Sequence, residues 1–191
     1  MRTQPTIQEM EAREDIFYGQ IVFIVARWFV IAGAVFLSLW RAESIADIQR
    51  HIIPLAFLIA ANFFLHARCV MGLPANALLL KLASALDLAV ITSIILVVTP
   101  QGARGIENPF FVFYYPVVLA FALVFPRAQT LAFSSVVALT YTAVCLLSGA
   151  GIRFNGDEEV LAMRLVTLLG TAFLGTMYWR LQRARRRGEI A

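Results

Sequence analysis

The chain has 191 residues, 60% of them hydrophobic and 15% charged, with a mean hydropathy of +0.77. Soluble domains carry about 45–50% apolar and about 25% charged residues, so these proportions exclude a single soluble core and point to a polytopic membrane protein. The net charge of +4 comes mostly from arginines near the ends of apolar runs, which carries topology information and is not a nucleic-acid footprint.

Residues 1–17 form a polar N-terminal segment holding Glu9, Glu11, Glu14 and Asp15, and no small-residue cleavage site follows, so a secretory signal peptide is not expected. Apolar runs follow near 18–40, 52–68, 79–99, 109–126, 128–149 and 160–180. Each crosses or nearly crosses a hydrocarbon core that needs about 20 helical residues. Continuous apolarity without period-two alternation predicts helices and not a barrel. The connections are short, which predicts an all-α domain of six antiparallel transmembrane helices over residues 18–182, with a basic tail at 183–191.

In chain order, the first run contains Arg27. The second opens with Pro54, which suits a first helical turn, and carries Asn62 late; His51 and His66 lie at its opposite ends, too far apart to share a metal, and each reads as a solvated interfacial residue. The third contains Asp87. The fourth, after Asn108-Pro109-Phe110, is rich in aromatics and should kink at Pro116. The fifth begins after Pro126-Arg127 and carries Ser134, Ser135, Thr140 and Thr142, expected to make interhelical hydrogen bonds. The sixth follows an acidic loop, Asp157-Glu158-Glu159. It holds Arg164, placed to snorkel, and Gly170, Ala172 and Gly175, placed for a close helix contact. Cys69 and Cys145 form no CxxC pair and imply neither a disulfide framework nor a metal site. No Ser-His-Asp, Walker or zinc-ligand spacing occurs, so no enzyme activity is expected of this chain.

Lys and Arg near the run ends divide unevenly. One side collects Arg2, Arg13, Arg68, Lys81, Arg127, Arg180, Arg183, Arg185, Arg186 and Arg187; the other collects Arg41, Arg50, Arg104 and Arg153. The bias places both termini in the cytoplasm and the Asn108 loop outside. The basic exit after Trp179 is expected to touch anionic membrane lipid.

Two features carry chemistry. Asp87 lies roughly 12 Å into its span at 1.5 Å per residue, where a carboxylate costs about 2.5–3.5 kcal/mol on insertion scales. Its best partner by depth is Arg27, as a structural ion pair or as a protonatable switch. The second feature is Asn108-Pro109-Phe110. Asn is a favoured N-cap and Pro a favoured first helical residue, which explains the pair structurally. With Phe111, Phe113, Tyr114 and Tyr115 beside it, the same stretch could hold a flat apolar ring with carbonyl acceptors, such as a quinone; an interfacial aromatic belt is the ordinary account of such residues.

The order of these features resembles the membrane input domain of six-span sensor histidine kinases, most closely the RegB-type redox sensors. That family typically shows an Arg-Trp in its first helix (here Arg27-Trp28), an Asn late in the second (Asn62) and an Asp in the third (Asp87). It then has an outward Gly-Gly-x-Asn-Asn-Pro-Phe heptapeptide implicated in ubiquinone binding, followed by an aromatic helix with a proline (Pro116). Gly105, Asn108, Pro109 and Phe110 match the heptapeptide, whereas Arg104 and Glu107 depart from it. The resemblance covers roughly residues 20–182. It implies a signal-input module in the bacterial inner membrane, with a quinone such as ubiquinone held by Gly105, Asn108, Pro109, Phe110, Phe111 and Tyr114. Arg27, Asp87 and Asn62 would form an intramembrane polar latch, and a homodimer or a kinase would be the partner. No dimerisation helix, phosphoacceptor histidine or ATP-binding motif is present, so the chain is not expected to be a kinase by itself. A second reading is a non-catalytic auxiliary subunit of a larger membrane complex; a small transporter ranks last, since Asp87, Arg27 and Asn62 supply only a sparse polar path.

Overall fold

The computed structural model describes residues 7–42, 44–73, 75–98, 105–147 and 156–186. Among them every regular element is helical: α1 (Ile7–Arg41), α2 (Ile45–Val70), α3 (Ala77–Ser93) with a π-helical turn at Ile94–Val98, 3₁₀ turns at Gly105–Glu107 and Pro109–Phe113, α4 (Tyr114–Val124), α5 (Arg127–Leu147) and α6 (Asp157–Arg186). Five helices are long and apolar enough to cross a membrane, compatible with a multi-pass membrane protein. Large apolar side chains such as Phe29, Phe36, Ile53, Leu139 and Leu174 point outward. So broad an apolar exterior suits lipid and not water.

The polar residues of α1 face inward instead. Its buried positions include Gln20, Ile24, Arg27, Ile31, Ala34 and Ser38, a 4-3-4-3 spacing that keeps one seam on neighbouring helices. α3 buries Leu80, Ser84, Asp87 and Ile91, and α5 buries Thr130, Ser134, Val137 and Tyr141, by the same rule. Consecutive helices run up and down. Gln20 reaches Leu65 of α2, and Arg27 meets Asp87 of α3. Gly33 lies against Phe113 and Gly19 against Val124, so α4 descends as α1 rises; Gly175 of α6 meets Ala122 and Leu119. α1 therefore begins, and α6 leaves, at the same end of the bundle. The turns at 105–113 occupy the other, here termed the loop end.

Several expected boundaries change. Ser44 caps α2, its hydroxyl accepting from Asp47 N at 3.3 Å, so the helix starts well before the apolar run and Pro54 lies inside it. The apolarity that marks a span ignores this polar first turn. Gly72, at φ 68°, ends α2 in the left-handed region that a Cβ disfavours. Asp157-Glu158-Glu159 is the first turn of α6 and not a loop, where carboxylates complement the helix dipole. The expected kink at Pro116 is replaced by a change of helix type: Pro109–Phe113 is 3₁₀ and the α-helix starts only at Tyr114, placing Pro116 in its first turn. The fourth segment thus falls short of the length that marks a spanning helix. Its two parts together reach about 26 Å, at roughly 1.5 Å per α residue and 2.0 Å per 3₁₀ residue. Ser134 and Thr142 hydrogen-bond carbonyls of their own helix, Leu131 O and Ala138 O, and not a neighbour. Gly175 and Ala172 are packed as expected, whereas Gly170 has open space beside it.

Two apolar cores result. One, at the loop end, contains Ile31, Leu58, Ile94, Phe110, Tyr114 and Tyr141. The other, near the termini, contains Phe23, Leu65, Leu80, Phe121 and Phe125.

Candidate functional site

Between the two cores lies a polar waist. Arg27 Nε donates to Asp87 Oδ1 at 2.9 Å, and Nη2 lies 2.8 Å from the same oxygen without forming a directed bond. Both side chains are almost wholly buried. Asn62, fully buried on α2, donates through Nδ2 to Ile24 O of α1 at 3.4 Å, one turn before Arg27. The structure thus brings together Arg27 and Asp87, and places Asn62 beside them on the α1 backbone with no hydrogen bond recorded to either. Among the described residues, Arg27 Nη1, Asp87 Oδ2 and Asn62 Oδ1 are buried without a hydrogen-bond partner. The Arg27 guanidinium also sits 5.8 Å from the Phe23 ring centroid. Sequence reading missed Gln20, which locks the termini end: it donates to Leu65 O at 3.1 Å and accepts from Ala75 N at 2.7 Å. Its position seven residues before Arg27, on the same face, is the signal that could have found it.

At the loop end, Asn108 and Pro109 do what their capping preferences predict, although the helix they open is 3₁₀. Asn108 Oδ1 accepts from Phe110 N at 2.9 Å, with Pro109 in the first turn. Gly105, at φ 74°, makes the preceding turn and accepts from Asn108 N at 3.2 Å. Asn108 and Tyr114 are 0% exposed and Phe110 is 3% exposed; Gly105 is also buried, and only Pro109 and Phe111 of the six expected ligand residues are partly accessible. Tyr114 pairs with Thr92 of α3 at 2.9 Å. Arg104, a departure from the family loop, lies outside the described residues, as do Arg2, Arg153 and Arg187; Glu107 is exposed.

Two residues near segment ends, Arg164 and His51, pack into this end. Arg164 does not snorkel: it donates to Ile106 O and, at 2.6 Å, to Tyr141 OH, and its guanidinium covers the Phe111 ring at 3.7 Å. An α6 cation thereby joins the loop turn, α5 and the aromatic segment. Tyr115 adds a second link, to Thr167 of α6 at 2.7 Å. His51 is partly buried and not a free interfacial side chain. Its ring stacks on Phe110 with centroids 5.5 Å apart, and Nδ1 bonds Asp47 O at 2.8 Å. It also lines a groove of ≈ 270 Å³ between α1 and α2, walled by Val35, Leu39, Ile52, Leu55 and Ile59. His66, by contrast, is exposed.

Among the described residues no group of three or more His, Cys, Asp or Glu could hold a metal ion. No family model matches the chain, and no match is found among curated proteins or solved structures.

Proposed function

We propose that this chain is a transmembrane signal-input module that reports an apolar, quinone-like ligand at the loop end through α6. The observation that carries the reading is Arg164. It fastens the 3₁₀ turn and the aromatic segment to a helix of 30 residues that runs unbroken to the opposite end. A change at the turn is therefore applied directly to α6. With Asn108, Phe110 and Tyr114 packed inside, the ligand approaches from the bilayer through the groove beside His51, whose ring backs Phe110. Arg27 and Asp87 set the resting helix arrangement, and both termini lie in the cytoplasm of a bacterial inner membrane, where α6 would meet a homodimer or kinase partner. A ligand moves this equilibrium only if it binds two arrangements with different affinity.

The test uses the full chain in nanodiscs, with spin labels at Leu78 on α3 and Leu181 on α6. Ubiquinone should shift the inter-label distance, and Arg164→Gln should abolish the shift while saturable ligand quenching of tryptophan persists. Saturable binding with no shift in the unmutated protein would overturn the input-module reading; absence of binding would remove the ligand class.

A further inference from the structure

We propose that the seam between α5 and α6, at the end where the termini lie, is a binding site for one anionic phospholipid. A shallow groove there is lined by Arg127, Leu131, Phe173, Thr176, Met177 and Arg180. Its shape follows from helical register. Residues 127 and 131 lie one turn apart on α5, and residues 173, 176, 177 and 180 share a face of α6. Leu131, Phe173 and Met177 expose apolar surface along the groove. Thr176 does not compete as a ligand group, since its hydroxyl is committed to Ala172 O at 2.6 Å.

The two arginines are exposed, and neither forms an ion pair with an acid among the described residues. The ion pairs among the described residues, Arg27–Asp87 and Arg50–Asp47, both lie elsewhere. Two guanidiniums with no ion-pair partner among the described residues, set above an apolar strip, match the two halves of an anionic amphiphile. The phosphate takes the planar donor forks of Arg127 and Arg180. The first part of an acyl chain lies over Leu131 and Phe173, the seven-residue step from Phe173 to Arg180 being about 10 Å. Free phosphate satisfies only the first half, and a zwitterionic lipid brings its own cation to compete with the arginines. The site goes beyond the sensor reading and does not depend on it. It nonetheless clamps α6 to α5 at the point where α6 leaves the bundle.

The experiment uses the full chain in phosphatidylcholine nanodiscs, with Trp28→Phe and Trp40→Phe leaving Trp179, next to Arg180, as reporter. Brominated phosphatidylglycerol should quench at a lower mole fraction than brominated phosphatidylcholine. A charge near the surface contributes about fivefold in lipid affinity, so Arg127→Gln with Arg180→Gln should weaken the preference by about 30-fold. Arg127→Lys with Arg180→Lys should retain most of it. Equal quenching by the two lipids overturns the proposal. So does a preference that survives the double glutamine variant but is lost with Arg183→Gln, Arg185→Gln and Arg186→Gln, since the tail then binds the lipid. Full competition by millimolar inorganic phosphate would reduce the site to a simple anion site and also overturn it.

Discussion

Removing the Asp87 carboxylate should strand the Arg27 guanidinium in the middle of the bundle. At 2.8 Å, and with an effective dielectric of about 20, their gross attraction is roughly 6 kcal/mol. Side-chain exposures of 3% and 2% leave water little access to screen it. Desolvation offsets much of that attraction, so the pair's net contribution is small, while breaking it by losing one partner costs about 3–5 kcal/mol. Asp87→Ala should therefore destabilise by that amount. Asp87→Asn should fall between, keeping an oxygen for Arg27 Nε but losing the charge. Arg27→Met combined with Asp87→Leu should return stability to the unmutated level or raise it by about 1–4 kcal/mol. Reversible unfolding in bicelles measures each variant, and the unmutated protein, Arg27→Met, Asp87→Leu and their combination form the double-mutant cycle. A loss below about 1 kcal/mol for Asp87→Ala, or a double variant as unstable as the sum of the singles, would refute the argument that these two charges hold each other in the waist.

Three further outcomes follow from packing and capping. A Cβ at Gly175 would lie 2.8 Å from the rigid Ala122 Cβ, whereas one at Gly170 meets nothing within 4 Å. Thermal unfolding should show Gly175→Ala destabilised by about 1–3 kcal/mol, and Gly170→Ala neutral or stabilised by up to about 1 kcal/mol; the reverse order would contradict the α4–α6 contact. Gln20→Leu should cost about 1–3 kcal/mol, because it strands the buried Ala75 N–H, and hydrogen exchange at Ala75 should accelerate. Asn108→Ala should cost about 1 kcal/mol through the lost cap and raise exchange at Phe110 N first; unchanged exchange there would show that the cap is not what holds the turn.

The location of the helices was legible because apolarity alone decides what enters lipid. Their ends were not, because ends are set by local hydrogen bonding. Ser44 starts α2 ahead of its apolar run, and Asp157–Glu159 turn an apparent loop into the first turn of α6. The pairing of Arg27 with Asp87 was readable from depth, since only a matched depth lets two buried charges meet. Gln20 shares Arg27's face, but a single uncharged amide in an apolar run carries no signal beyond that spacing. Arg164 and His51 depart from expectation for a different reason. Their depth near a segment end fits snorkelling or solvation, and only the neighbours brought in from the 3₁₀ turns and α5 place Ile106, Tyr141 and Phe111 around one and Phe110 against the other.

By itself, then, the sequence determined an all-helical chain suited to lipid, the depth of its buried charges and the turn chemistry of Asn108-Pro109. Those are properties of single residues and their near neighbours in a nonpolar solvent. The tertiary structure decided that the fourth segment changes from 3₁₀ to α-helix, that Asn108 is committed to its own turn and enclosed, and that Arg164 of α6 binds the loop turn and α5. These depend on close packing between segments far apart in sequence, where space for one side chain is fixed by all the others.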